Sequence, residues 1–294
     1  TEDKITHFSS IFIVTGVLCL TLSLLFAKPY TISIVLIAFL LTIKDLPTVI
    51  QYIFGPQRLL LILYCGIICA IFIFISAYWR GLHKFPQIIQ RKFFHLMALL
   101  VFVPPIMIDP TFLKLCVSGA IFVFLIIESL RLVRFPYVAT YVENYVSAFI
   151  DERDSNELIL THLFLLLGLG LPVLIIPNDV TTLSIPFISS LKNELFPMTI
   201  LTLRICGNSV LAIGDAAASI FGVYFGKHKW PGSRKSYEGT FGAFIGTWVT
   251  MCVIICIASR EFPVKILLAQ LLPASFGALD EAFTSQIDNL TLPF

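Results

Sequence analysis

An acidic residue inside an apolar run, followed by a cationic loop, is the part of this chain best suited to chemistry. The stretch from 213 to 240 reads IGDAAASIFGVYFGKHKWPGSRKSYEGT. A carboxylate in a segment this apolar is costly, so Asp215 is a candidate functional group until a structural partner explains it. For Gly214, Ala218 and Gly222, an alternative is tight helix packing through small residues. That alternative does not account for Asp215.

The loop at 226–236 carries groups that bind phosphate. Its Lys and Arg side chains are charge-assisted donors for phosphate oxygens, its glycines leave backbone N–H groups accessible, and Trp230 can cover a base or a sugar. This combination is typical of a site for a nucleoside triphosphate. The alternative is an anchor for anionic lipid headgroups, which is the usual role of a basic loop beside a membrane.

Two acids flank the loop, Asp215 before it and Glu238 after it. An anchor does not require them, whereas Mg²⁺ on a nucleotide is held by one or two carboxylates together with phosphate oxygens. We therefore predict a metal–nucleotide site with Asp215 and Glu238 as metal ligands. No Walker A or GxGxxG pattern is present, so the phosphate cradle is of another type. The residues predicted to bind the nucleotide are Gly214, Ser219, Lys227, Lys229, Arg234, Lys235, Ser236, Glu238, Gly239, Arg91 and Lys92.

Other ionisable groups are candidates to join this site. RKFFH, residues 91–95, places His95 one helical turn after Arg91, although interfacial Arg and Lys often only snorkel and a lone His is often structural. A second group is Glu128 with the acidic run at 151–154, for which a solvated helix cap is the alternative. A third group closes the chain: Glu281, Asp288 and Asn289.

Composition indicates that lipid is the main solvent of this chain. Of its 294 residues, 57% are hydrophobic and 13% are charged, with a net charge of +2, and the mean hydropathy is +0.92. A soluble domain carries about 25% charged residues. These values exclude a disordered chain, a coiled coil and a nucleic-acid binder. The seven cysteines have no CxxC spacing, so six of them are interpreted as buried hydrophobes within apolar runs and a zinc site has little support.

The apolar runs predict an all-α integral membrane protein, a polytopic bundle of about nine transmembrane helices. Basic loops fall on one side if the spans alternate, and this side is cytoplasmic by the positive-inside rule. The polar segment 137–157 has an apolar stripe and is predicted to lie along the cytoplasmic interface. The segment 177–195 is the longest loop on the opposite side. The predicted spans are 9–27, 30–50, 59–79, 93–108, 112–130, 158–176, 196–222, 239–258 and 264–283.

Four motifs, in this order, resemble the dolichol kinase family of the endoplasmic reticulum membrane: RKFFH, DERDSNELILTHLFLLLGLGLP, GDAAASIFGVYFGKHKWPGSRKSYEGT and EAFTSQIDNLTLP. Phytol kinases and membrane cytidylyltransferases share the GD motif and the KS-x-EG loop. The resemblance covers about 79–294, which implies an N-terminal transmembrane segment at 1–78 and a CTP-dependent lipid kinase domain at 79–294. It also implies further spans before residue 1 and after residue 294, so we expect a piece of a longer protein.

The resemblance implies transfer of the γ-phosphate of CTP to the terminal hydroxyl of dolichol, with a divalent cation, Mg²⁺, as cofactor. The product, dolichyl phosphate, is the lipid carrier for N-glycosylation, and the active site is expected to face the cytoplasm. Alternatives are another CTP-dependent kinase of phytol or polyprenol and, with less support, a membrane transporter or a structural subunit. The charges collect at one face and no internal repeat is visible, which disfavours a transporter. No protein partner and no nucleic acid is implied.

A division of roles follows from the chemistry of phosphoryl transfer, which needs positioning and charge stabilisation. Asp215 is expected to bind the metal and to orient the acceptor hydroxyl, with Glu238 as a second carboxylate. Asp151 and Asp154 are the alternatives for general base or second metal ligand, with Asp288 and Asn289 behind them. Residues expected to contact phosphate are Lys229, Arg234 and Lys235 from the loop and Arg91, Lys92 and His95 from a neighbouring helix.

Overall fold

The chain folds into helices that pair their backbone groups internally, as an apolar sequence of this kind requires in lipid. The computed structural model describes residues 2–26, 28–42, 46–81, 87–136, 161–176, 195–233, 235–260 and 263–283. Within these ranges there is no strand beyond one isolated bridge. The helices are α1 (Glu2–Phe26), α2 (Pro29–Thr42), α3 (Leu46–Ile53), α4 (Pro56–Gly81), α5 (Gln87–Ile108), α6 (Pro110–Leu132), α7 (Thr161–Ile175), α8 (Leu195–Ser209), a π-helix (Val210–Gly214), α9 (Asp215–Tyr224), α10 (Tyr237–Ser259), α11 (Val264–Ala269) and α12 (Leu271–Phe283).

The prediction of an all-α, multi-pass membrane protein is confirmed. Among the residues that the structure describes, six helical segments are long and apolar enough to cross a bilayer: Glu2–Phe26, Pro56–Trp79, Pro110–Leu132, Met198–Tyr224, Tyr237–Ser259 and Val264–Phe283. Two of the other predicted spans correspond to shorter apolar helices, Lys92–Ile108 and Leu163–Ile175. The predicted span at 30–50 corresponds to α2 and α3, with 43–45 between them outside the described residues. The count of nine therefore stays a prediction.

Two compact units make up the chain, and both are discontinuous in sequence. The first comprises Thr1–Pro56 and Thr111–Leu167. Gly16 of α1 lets α6 approach, because a β-carbon there would lie 3.0 Å from Leu125. Phenylalanine rings pack nearby, with Phe12 and Phe122 at 5.1 Å between centroids. Glu128 and Arg131 form a buried ion pair on α6 at 2.6 Å.

The second unit comprises Gln57–Pro110 and Gly168–Phe294. Its α4 and α5 run antiparallel, since Tyr64 donates to the Leu100 carbonyl and Arg58 pairs with Asp109 at 2.8 Å. The π-helix packs against α5, α10 and α12. The domain boundary predicted at residue 78 does not coincide with a boundary of either unit and stays a prediction.

Helices α9 and α10 form the tightest antiparallel pair of the second unit. A β-carbon at Gly239 would lie 3.0 Å from the Ala218 carbonyl, and one at Gly242 would lie 2.7 Å from the Phe221 side chain. The small residues expected to allow close helix packing do so here, with Ala218, Ala243 of α10 and Ala278 of α12 in one buried cluster. This seam fixes the positions of both ends of α9, where the candidate site residues lie.

Candidate functional site

Asp215 is the centre of a buried polar cluster at the start of α9. Its Oδ2 accepts a hydrogen bond from Lys92 Nζ and lies 3.9 Å from His95 Nε2. Asp215 and His95 are 8% and 6% exposed. Two side chains of RKFFH therefore reach Asp215 from α5, and their role in binding phosphate stays a prediction. Lys92 and His95 share a face of α5 because they are three residues apart.

A π-helix at Val210–Gly214 immediately precedes Asp215. One turn of π-helix shifts the helical phase of everything that follows, and such turns occur frequently at functional sites. Gly214 ends it, and a β-carbon at this position would lie 2.4 Å from Thr247 Oγ1. The absence of a side chain at Gly214 therefore lets α10 approach the backbone next to Asp215. The apolar sequence VLAIG carries no signal for this turn, so sequence reasoning missed it.

One face of α9 leads from Asp215 toward the hairpin. Asp215, Ser219 and Gly222 follow at i, i+4 and i+7, which places them in one row along the helix. Beyond Asp215 the row holds no side chain larger than serine. Asp215 and Gly222 are seven residue steps apart, so the row extends over about 10 Å.

The cationic loop is a hairpin closed by a tight turn. Ser233 N donates to the Trp230 carbonyl at 3.0 Å across Pro231 and Gly232. Gly232 has φ 73°, and proline followed by a left-handed glycine is the pattern of a type II turn. Further along, Trp230 N donates to the Lys235 carbonyl. The loop therefore has a defined backbone that orients its side chains.

The base of the hairpin, at His228 and Ser236, is fixed to the start of α10. Ser236 caps this helix by accepting from Gly239 N at 3.1 Å. Glu238 accepts from His228, with 2.7 Å between Oε1 and Nδ1 and 3.2 Å from the His228 backbone nitrogen. His228 and Glu238 thus form an exposed pair where the hairpin joins α10, and His228 was not among the residues predicted from the sequence.

The turn end of the hairpin, at Trp230 and Lys235, is fixed to the end of α12. Lys235 Nζ donates to the Glu281 carbonyl and lies 3.4 Å from its Oε1. The Trp230 indole donates to Thr240 Oγ1 at 2.9 Å. Its ring packs against Tyr237 and Phe283 in tilted arrangements, with ring centroids 4.0 and 4.9 Å away. Instead of an open face for a base or a sugar, Trp230 presents a ring packed against the protein's own aromatic residues.

Asp215 and Glu238 lie at opposite ends of α9. Gly239 sits beside Gly222, which is seven residue steps, about 10 Å, beyond Asp215. Side chains lean toward the N-terminus of their own helix, so in this antiparallel pair the two carboxylates point away from each other. Mg²⁺ takes its oxygen ligands at about 2.1 Å. This geometry is incompatible with the prediction that Asp215 and Glu238 hold the same ion.

An open groove of about 610 Å³ lies on the α9–α10 pair at the hairpin end. Its wall is almost entirely aromatic, with the His228–Glu238 pair at its polar edge. The groove is separate from Asp215, because Phe221 of α9 and Phe225 just after it lie six and ten positions after Asp215. The lining residues are Phe221, Phe225, His228, Tyr237, Glu238 and Phe241.

Comparison with known proteins identifies relatives along most of the chain. It is 34% identical over 214 residues to the dolichol kinase of Homo sapiens, which covers 72% of this chain and 37% of that protein. It is 30% identical over 256 residues to the dolichol kinase of Mus musculus, covering 83% and 45%. It is 31% identical over 218 residues to a dolichol kinase of Arabidopsis thaliana, covering 71% and 34%.

The chain belongs to the dolichol kinase family. It spans less than half the length of these three relatives. No protein-family model and no solved structure matches it.

Several residues predicted from the dolichol kinase resemblance lie outside the described part of the chain. Asp151, Asp154 and Arg234 do so, as do the segment 137–157, nearly all of the loop 177–195, and Asp288 with Asn289. Arg91 is a residue of α5, but its side chain is not among those that the structure describes.

Among the described residues, the predicted nucleotide-binding side chains fall into two groups. Lys92 lies at Asp215, whereas Lys227, Lys229 and Lys235 lie in the hairpin, with Lys227 and Lys229 exposed. In the part of the chain that the structure describes, no three His, Cys, Asp or Glu residues gather as a metal site. Within the Lys92–Asp215–His95 cluster, Asp215 is the carboxylate, the hard oxygen ligand of the kind that Mg²⁺ prefers.

Proposed function

We propose that this chain carries the catalytic site of a dolichol kinase that transfers the γ-phosphate of CTP to the terminal hydroxyl of dolichol. The observation that carries the proposal is the Lys92–Asp215–His95 cluster, buried at the foot of a small-residue row that leads to a cationic hairpin. Family membership supports the acceptor class. The donor, the endoplasmic reticulum location and a cytoplasm-facing site are parts of the proposal that rest on the family resemblance and on the distribution of basic residues.

The nucleotide is proposed to lie along α9. Its γ-phosphate would reach Asp215, while the rest of the nucleotide extends past Ser219 toward the hairpin cations. The row from Asp215 to Gly222 is about 10 Å long. Since α10 covers Gly222 with Ser236 and Gly239, the phosphates would pass on the Ser219 side of α9, where the serine hydroxyl can donate to them.

Lys92 and His95 would stabilise the phosphoryl group as it transfers. The acceptor oxygen forms a bond to the γ-phosphorus, the bond to the β-phosphate oxygen breaks, and CDP leaves with the negative charge. Lys92 is placed to donate to the equatorial oxygens, where charge accumulates. The hydroxyl proton goes to a base, for which Asp151 and Asp154 are the candidates.

Asp215 fits a magnesium ion carried by the nucleotide, because one carboxylate and phosphate oxygens are a common set for this ion. When bound, the ion neutralises phosphate charge. The Asp215 carboxylate, held by Lys92, would orient that complex. Glu238 is assigned to the hairpin end of the nucleotide site through its pair with His228.

The test is incorporation of labelled γ-phosphate from CTP or ATP into purified dolichol, polyprenol and phytol. We expect CTP and dolichol to be the preferred pair, and Asp215→Asn to reduce the rate at least about 100-fold, as loss of a transition-state charge contact does. Asp3→Asn removes an exposed carboxylate of α1 and is the matched control. Activity of Asp215→Asn equal to that of the control would remove the assignment, and preference for phytol or another alcohol would correct the acceptor.

A further inference from the structure

Among the hairpin lysines, Lys235 is distinguished by a carboxylate that holds it. Its Nζ donates to the backbone carbonyl of Glu281, and Glu281 Oε1 lies 3.4 Å from the same nitrogen. The two side chains are 28% and 13% exposed. By contrast, Lys227 and Lys229 are exposed residues. The ammonium of Lys235 is therefore held at a defined place, which an exposed lysine is not.

The position of Glu281 follows from the packing of α12. Ala278 packs into one cluster with Ala218 of α9 and Ala243 of α10. Glu281 comes three residues later, so it lies one turn further along the same side of α12. Because α12 packs against α10 and the π-helix, Glu281 lies beside the hairpin end of α10, where Lys235 precedes that helix.

The aromatic contacts fix the same end of the hairpin. Trp230 packs against Phe283, two residues after Glu281, and donates to Thr240 of α10. The backbone that carries Lys235 is therefore attached to two helices. A lysine loses rotamer entropy when it binds a phosphate, and a lysine already held by a carboxylate has lost part of it beforehand.

We propose that Glu281 is a positioning residue of the nucleotide site, which holds the Lys235 ammonium where the nucleotide's phosphates pass between the hairpin and Asp215. The inference rests on the proposed function, because it needs a nucleotide on this face of α9. It assigns a role in nucleotide binding to Glu281 at the end of α12. This residue lies outside both the cationic loop and the GD motif. The competing explanation is that the Lys235–Glu281 contact only attaches the hairpin to α12 and contributes to stability without affecting nucleotide binding.

A double-mutant cycle in nucleotide binding separates the two explanations. The purified protein and its Glu281→Ala, Glu281→Gln, Lys235→Ala and Lys235→Ala/Glu281→Ala variants are titrated with the β,γ-methylene analogue of CTP. We expect Glu281→Ala to weaken binding about tenfold, Glu281→Gln to weaken it less, and the double variant to bind like Lys235→Ala. Lys265→Ala, an exposed lysine of α11, is the control for charge. Thermal unfolding of each variant is measured alongside.

Each remaining outcome has a distinct meaning. A tenfold loss from Glu281→Ala that recurs undiminished in the Lys235→Ala background overturns the positioning role. So does unchanged affinity with a lowered unfolding temperature, which is the result expected if the contact only attaches the hairpin to α12. If the unsubstituted protein binds neither the CTP analogue nor the corresponding ATP analogue, the proposed function fails and the inference fails with it. If the unsubstituted protein binds the analogue but the affinity losses of Lys235→Ala and Glu281→Ala add in the double variant, the inference is refuted and the proposed function is not.

Discussion

Replacing Lys92 by methionine tests whether Asp215 is held in its buried site by an ion pair. Lys92 is the residue that donates to Asp215 Oδ2, and their side chains are 22% and 11% exposed. Removing one partner of a fully buried pair costs about 3–5 kcal/mol, because it leaves an uncompensated charge. Lys92 is partly exposed and His95 lies close to the same oxygen, so we expect about 2 kcal/mol for Lys92→Met.

The double variant Lys92→Met/Asp215→Asn distinguishes charge burial from lost packing. Removal of the carboxylate charge should restore at least half of the lost stability, although phosphoryl transfer stays low in both variants. The measurement is thermal or denaturant unfolding, followed by circular dichroism in one detergent, with Lys265→Met as an exposed control. Stability of Lys92→Met equal to this control would refute the reasoning, and so would a double variant as unstable as the two single effects added together.

Two glycine substitutions test the geometry at the start of α9 and in the turn of the hairpin. Gly214→Ala would place a β-carbon 2.4 Å from Thr247 Oγ1 and should destabilise the protein by about 1–3 kcal/mol; Gly66→Ala, where the added carbon meets nothing within 4 Å, should be neutral or stabilising in the same unfolding assay. Gly232→Ala forces a side chain onto φ 73° and should cost about 1 kcal/mol, together with weaker binding of the CTP analogue. Equal stability of Gly214→Ala and Gly66→Ala would contradict the close approach of α10 to the π-helix.

The membrane class and the main site residue were predictable because they depend on composition and on one costly charge. Asp215 stands out in the sequence because a carboxylate is costly in an apolar segment and helix packing does not require one. The Pro231–Gly232 dipeptide likewise predicts the turn of the hairpin. The approach of Lys92 and His95 to Asp215 was a weaker expectation, carried by the resemblance and by residue types. Both side chains contact Asp215 because they lie on one face of α5, and their role with phosphate stays a prediction.

The parts that sequence reasoning could not supply depend on contacts between distant segments. The Asp215–Glu238 metal pair was predicted from residue type alone, whereas the register of α9 against α10 separates the two by a helix length. The link between Lys235 and Glu281 depends on the path of α12, which no local pattern encodes. Likewise, Trp230 has the composition of a base-stacking residue, and only the positions of Tyr237 and Phe283 show that its ring is covered.

Asp215 occupies the interior of a helical segment that extends from Met198 to Tyr224, 27 residues long and apolar enough to cross a bilayer. Asp215 lies about 13 Å along the helix axis from the C-terminal end of α9. The hydrocarbon core of a bilayer is about 30 Å thick. If the phosphoryl group is transferred there, the acceptor hydroxyl can remain among hydrocarbon chains while bulk water is kept away. Such a depth would suppress hydrolysis of the nucleotide, because water, the commonest rival acceptor, would be scarce at the reacting phosphorus.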